Sequence, residues 1–260
     1  MKRILLPLLL FCCSPTAFSQ PGDEPIDQLT NKFLSTDWPT VLYAKERFEN
    51  LESMGIPYLI AILNDCVVRK LQNTGDLIFP GAEKFYGHGQ IIDYDIDDVC
   101  VRAGWLLEDL TFQNFGFNGI HLPDGELTDF IKFSFPEYFN NSVNRRQLEN
   151  MTSTQKRKLI KSISISKARS WWKSASNNWN RFDALVEALN SNDEKRQVKA
   201  LFYLRNGKTR CKGLTNTTYK LRMEETVSKL ARVDLNRVSE NAKLILLDTE
   251  LRWLSLKPVD

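Results

Sequence analysis

The chain holds only two histidines, His88 and His121, in 260 residues. It contains no Cys-x-x-Cys pair, which excludes the usual cysteine-based zinc and redox sites. No Gly-x-Ser-x-Gly elbow is present to hold a strained serine nucleophile. Ser-x-x-Lys does occur, at Ser153, Ser164 and Ser170, but without companion motifs, and chance accounts for it in a chain rich in both residues. Long apolar runs are missing too. The longest, 4–13, falls well short of the roughly 20 residues that cross a bilayer, so no stable membrane anchor is expected. With 42% hydrophobic and 26% charged residues, the composition still supports a buried core.

What is present begins at the amino terminus. Lys2 and Arg3 precede the apolar run, and Ala17-Phe18-Ser19 stands before Gln20, the layout of a secretory signal peptide over 1–19 cleaved between Ser19 and Gln20. This predicts an exported protein, periplasmic or secreted, for which nucleic acid is not an expected partner. Removal of the signal leaves Cys66, Cys100 and Cys211, an odd number in an oxidising compartment, so one stays free or pairs with another chain.

Charge divides the remainder. Residues 20–137 carry 8 Lys+Arg against 20 Asp+Glu, a balance of −12, and residues 138–260 carry 25 against 12, a balance of +13. Such asymmetry marks either a charged partner-binding surface or two regions that dock on one another within one domain.

Helical signals follow. Asp37 is placed to cap a helix with Pro39 in its first turn and Val41, Ala44, Phe48 and Leu51 on one face. Gly55 ends it, Pro57 starts a second helix carrying Leu59, Ile62 and Leu63, and the two read as a helical hairpin. Thr152 with Gln155 reads as a capping box opening a basic helix through Lys173. One more helix carries Met223, Val227 and Leu230, and another Val238, Ala242, Ile245 and Leu246, whereas 112–139, broken by Gly116, Gly119 and Pro123-Asp124-Gly125, reads as a compact irregular connection.

The run Ile56-Pro57-Tyr58-Leu59-Ile60-Ala61-Ile62-Leu63-Asn64-Asp65 resembles the second helix of a HEAT-type repeat. Asp97-Asp98-Val99-Cys100-Val101-Arg102, leading into Ala103, Leu106, Leu107 and Leu110, resembles the helix that should follow in that family. A third stretch has the same grammar, with Trp179, Phe182, Leu185, Val186 and Leu189 on one helix and Val198, Leu201 and Phe202 on the next, ended by Gly207. The resemblance implies a helical array with a concave protein-binding surface. The expected fold is therefore mainly α, a HEAT-like or irregular helical array, with a small β-containing insertion at about 67–99.

That insertion is rich in turn signals. Gln90-Ile91-Ile92-Asp93-Tyr94-Asp95-Ile96 reads as a short strand, paired with Leu77-Ile78-Phe79. Cys66 ends one helix and Cys100 begins the next, so a disulfide would staple the base of the insertion if those helices are neighbours. His88, between Gly87 and Gly89, lies near Glu83, Asp93 and Asp95, a set able to bind a divalent metal or act as acid and base. Its alternative is an exposed strand face followed by helix-capping aspartates. Phe85 and Tyr86, with His88 and Tyr94, form either a recognition surface or a cover for the helical core.

The basic run Lys156, Arg157, Lys158, Lys161, Lys167 and Arg169, with Trp171, Trp172 and Trp179, reads as an amphipathic helix with solvated or internally paired charges and packed tryptophans. An alternative is a face for anionic lipid or polysaccharide on an envelope-associated protein. Together these readings predict a non-enzymatic protein-binding protein, of the kind exemplified by a periplasmic immunity-type inhibitor, with no cofactor. The rival is a metal-dependent hydrolase using His88, Asp93 and Asp95.

Overall fold

Side-chain oxygens open most of the longer helices in this chain. The computed structural model describes residues 24–75, 77–78, 90–91, 94–207 and 210–248; Ser19, Gln20, Glu83, Phe85, Tyr86, His88 and Asp93 lie outside the described residues. In chain order the elements are α1 (Ile26–Phe33), α2 (Trp38–Leu51), α3 (Ile56–Ile62), β1 (Leu77–Ile78), β2 (Gln90–Ile91), α4 (Val99–Thr111), α5 (Leu127–Ser134), α6 (Pro136–Asn140) and α7 (Ser142–Glu149). They continue with α8 (Ser153–Ala175), α9 (Arg181–Leu189), α10 (Glu194–Asn206), α11 (Asn216–Arg222), α12 (Glu224–Leu230) and α13 (Asn236–Leu247). Asp37, Asp98, Asn180 and Asp193 each accept a backbone N–H in the first turn of α2, α4, α9 and α10. Thr152 and Gln155 form the reciprocal capping box that opens α8.

The protein is mainly helical, and its apolar faces build two main cores. The first gathers Leu29 and Phe33 of α1, Ala44 and Phe48 of α2, Ile56 and Leu59 of α3, the inner face of α4, and residues through Ala168 of α8. The second is made by α9 to α13, including Leu185, Leu201, Leu204, Val227, Val238 and Ile245. Phe112 joins them. It closes α4 in the left-handed region, φ 54°, which a non-glycine residue adopts only when its surroundings hold it there. The fully buried ring is thereby delivered to the second core, 5.3 Å from the Tyr203 ring.

Several expectations are corrected. α2 and α3 do not pair chiefly with each other: α2 lies against α1, and α3 against α4. Apolar periodicity says which face is buried, not which neighbour covers it. The 112–139 connection contains α5 and α6, the latter opened by Pro136 at its first turn. Trp179 precedes α9 rather than lying on it, and Leu246 is exposed. The expected strand 90–96 is confined to Gln90 and Ile91 among the described residues, in parallel register with Leu77 and Ile78, because the chain bends at Tyr94 and turns into the α4 cap.

Gly104 sits in mid-α4, where helix propensity alone would favour alanine. A Cβ there would collide with the Phe117 ring. Gly104→Ala is therefore expected to destabilise the protein by about 1–3 kcal/mol, read as a lower denaturant midpoint, although propensity predicts a gain. No helix among the described residues is long and apolar enough to cross a membrane.

Candidate functional site

The root of the insertion is tied down at many points. Cys66, just past α3, is disulfide-bonded to Cys100 in the first turn of α4, with the Cα atoms 5.0 Å apart. Among the described residues Cys211 is the free cysteine; it is buried, and burial pushes its thiol up to about 11. The outgoing limb is stitched to both neighbouring helix starts: Gln72 N–H donates to Thr36 O at 2.7 Å, Trp38 N–H to Gln72 O at 3.0 Å, and Arg69 N–H to Asp97 O at 2.7 Å. Beneath it Trp38, Val41, Leu71 and Ile96 form a third small core, with Leu77 and Tyr94 packed against it.

Asp95, Asp97 and Asp98 of the returning limb serve this root. Asp95 Oδ1 accepts the Asp97 N–H at 3.0 Å, and the Asp95 N–H donates to His121 Nε2 at 3.1 Å. Asp97 Oδ1 accepts from the Leu71 N–H at 2.8 Å. Asp98 caps α4 and takes the Lys161 ammonium of α8 at 2.6 Å. Of the metal grouping His88, Glu83, Asp93 and Asp95, only Asp95 is described, and it meets His121 instead. Among the described residues no group of three His, Cys, Asp or Glu side chains could hold a metal ion.

Tyr94 leads to a feature that the sequence reading missed. Its ring stacks on Trp105 of α4, centroids 4.8 Å apart and planes 19° from parallel. Arg102, Trp105 and Asp109 recur three and four residues apart and so share one face of α4, away from the apolar stripe. Arg102 is 2% exposed, its guanidinium 5.1 Å from the Phe33 ring centre, and burial lowers its pKa to about 10. Lys199 of α10 reaches over Trp105, 5.2 Å from the ring centre, and binds Asp109 at 2.7 Å. Burial works against the charge on half-buried Lys45 of α2, yet Tyr94, Asp109 and Glu49 around it hold its pKa above the ordinary lysine value.

Under this polar stripe lies Glu108, 1% exposed. Its Oε1 accepts the backbone N–H groups of Phe115 (2.7 Å), Gly116 (2.8 Å) and Phe117 (3.3 Å), and Oε2 faces Lys199 at 3.6 Å. Burial nevertheless raises its pKa. Buried Arg181 donates to Glu49 O at 3.1 Å and lies over Tyr203, 4.5 Å from the ring centre, joining the two main cores. The spacing of Arg102, Trp105 and Asp109 was the available signal for the stripe; Lys199 and Glu49 reach it only through tertiary packing.

The charged halves meet through ion pairs. Arg157 binds Asp124 at 2.7 Å, and Lys161 and Lys199 add their contacts to Asp98, Asp109 and Glu108. Other members of the basic run are engaged as well, Lys156 with Thr128, Lys167 with Asn114 and Arg169 with Asn64. Trp171, Trp172 and Trp179 pack on one another against the first core, with centroids 5.7 to 6.5 Å apart. No protein family, curated protein or solved structure matches the chain.

Proposed function

We propose that this is an exported, non-enzymatic binding protein whose insertion and surrounding acidic surface take a basic protein partner, in the manner of a periplasmic immunity-type inhibitor. The anchoring of the insertion root carries this reading: disulfide, cross-limb hydrogen bonds and the Trp38–Leu71–Ile96 core fix the emergence of one loop, a preorganisation that lowers the entropic cost of binding. The disulfide fits an oxidising compartment. Among the described residues Arg157, Lys161 and Lys199 of the basic half pair with Asp124, Asp98 and Asp109, and the acidic excess of residues 20–137 supports a basic partner. The α3–α4 and α9–α10 pairs, which carry the HEAT-like stretches, are each packed helix on helix, as an array with a β-containing insertion on one edge requires.

The hydrolase reading has less support, because Asp95 already serves the turn into α4. The envelope reading, as a face of the whole basic run, is weakened by the internal bonds of Lys156, Arg157, Lys161 and Arg169. Immobilised mature protein is expected to retain a basic exported protein at low salt, to release it as ionic strength rises, and to lose it in Phe85→Ala/Tyr86→Ala with the helical circular dichroism unchanged. Retention that ignores both salt and the double substitution would overturn the proposal. Stoichiometric bound metal that disappears in His88→Ala would install the hydrolase in its place.

A further inference from the structure

Far from the insertion along the chain, Phe130 of α5 and Phe135 at the start of α6 meet edge to face, centroids 5.6 Å apart. Two lysines from different helices sit on this pair of rings. Lys167 of α8 holds its ammonium 5.2 Å from the centre of Phe135, and Lys195 in the first turn of α10 holds its own 4.8 Å from the centre of Phe130. Among the described residues neither forms an ion pair; Lys167 donates one long hydrogen bond, 3.4 Å, to Asn114 O.

The carboxylates in the neighbourhood are occupied. Asp193 spends Oδ1 on the Lys195 and Arg196 N–H groups and Oδ2 on the Asn114 amide. Glu108 spends one oxygen on three backbone N–H groups and turns the other to Lys199. Glu137 of α6 is exposed and is bound to neither lysine. Burial lowers the pKa of both lysines, against the pull of Glu108 and Asp193 on each and of Glu137 on Lys167, and Lys199 and Lys167 further disfavour the charge on Lys195. Two ammonium groups on adjoining, mutually perpendicular rings, neither ion-paired among the described residues and Lys167 exposed, are complementary to an anion with several acceptor oxygens.

We propose that Lys167 and Lys195 form a binding site for a phosphate-type oxyanion, free or carried on a lipid headgroup, held by the two ammonium groups that rest on Phe135 and Phe130. The site is separate from the insertion and does not depend on the protein-binding reading. Inorganic phosphate is the probe. Titration calorimetry at constant ionic strength is expected to show saturable binding that weakens at least tenfold in Lys167→Met and in Lys195→Met, while Lys158→Met, elsewhere on α8, binds as the wild type does. Lysine acetylation read by mass spectrometry supplies a residue-level check in the unaltered protein, in which phosphate should slow labelling of Lys167 and Lys195 but not of Lys158. Vesicles of phosphatidylglycerol distinguish the sources: capture that phosphate competes away assigns the headgroup, and absence of capture with phosphate binding retained assigns the free anion. Phosphate binding unchanged in the Lys167→Met/Lys195→Met double variant, or acetylation of both lysines unaffected by phosphate, overturns the proposal.

Discussion

Replacing Cys66 and Cys100 together by serine is expected to lower the melting temperature by about 10 °C. The bridge closes a loop with a sequence separation of 34, for which loop-closure entropy gives about 4 kcal/mol. A chain of this size loses roughly 2–4 °C per kcal/mol. Much of the cost falls on the unfolded state, because the stitched limbs around Gln72 and Asp97 hold the root in the native state even without the bond. Calorimetry of the double variant beside the wild type, with and without reductant, checks this: reductant should lower the wild type toward the variant and leave the variant unmoved. A variant as stable as the wild type would show that the limbs alone fix the root.

A comparable loss is expected on replacing Glu108 by alanine, about 3–5 kcal/mol in denaturant unfolding. The substitution strands the Phe115, Gly116 and Phe117 N–H groups and leaves Lys199 to Asp109 alone. Glu108→Gln retains an acceptor oxygen and should lose less than half as much. Its deficit also carries a pH signature. The folded protein holds the Glu108 proton more tightly than the unfolded chain does, so this stabilisation is full below the ordinary carboxyl value of 4.5 and fades as pH rises through the elevated folded value. Asp109 behaves oppositely. Burial would raise its pKa, but Lys199 and Lys45 bring it below the ordinary value, so its contribution stands above pH 3.8 and fades as pH falls. Unfolding curves from pH 4 to 8 should therefore show the Glu108→Gln deficit narrowing toward the upper end; a deficit that widens would contradict the direction given for Glu108.

Features legible in the sequence were those with a local cause. Asp37 with Pro39, Pro57, and Thr152 with Gln155 act within one helical turn, and each stands where its spacing placed it. The disulfide was legible because Cys66 and Cys100 flank the insertion at two helix ends, which needed only those helices to be neighbours. Helix partners were not, since Val41, Ala44 and Phe48 bury the same face whichever helix covers it. α5 and α6 were hidden by Gly116, Gly119 and Pro123, which punctuate the stretch just before them. At the candidate site, Asp98 announced its capping role, whereas the Tyr94–Trp105 stack and the seat of Glu108 come from contacts between segments that spacing does not encode.

The staple at the root also decides how the molecule would carry a mechanical load. Cys66 and Cys100 offer force a covalent shortcut from the end of α3 to the start of α4, so the chain between them is spared tension when the protein is pulled from its ends. A separation of 34 residues at about 3.6 Å each hides roughly 120 Å of contour from any such stretch. A tug on the loop itself would instead be delivered to the first turn of α4 and, through Asp98 and Lys161, to α8, the longest helix described.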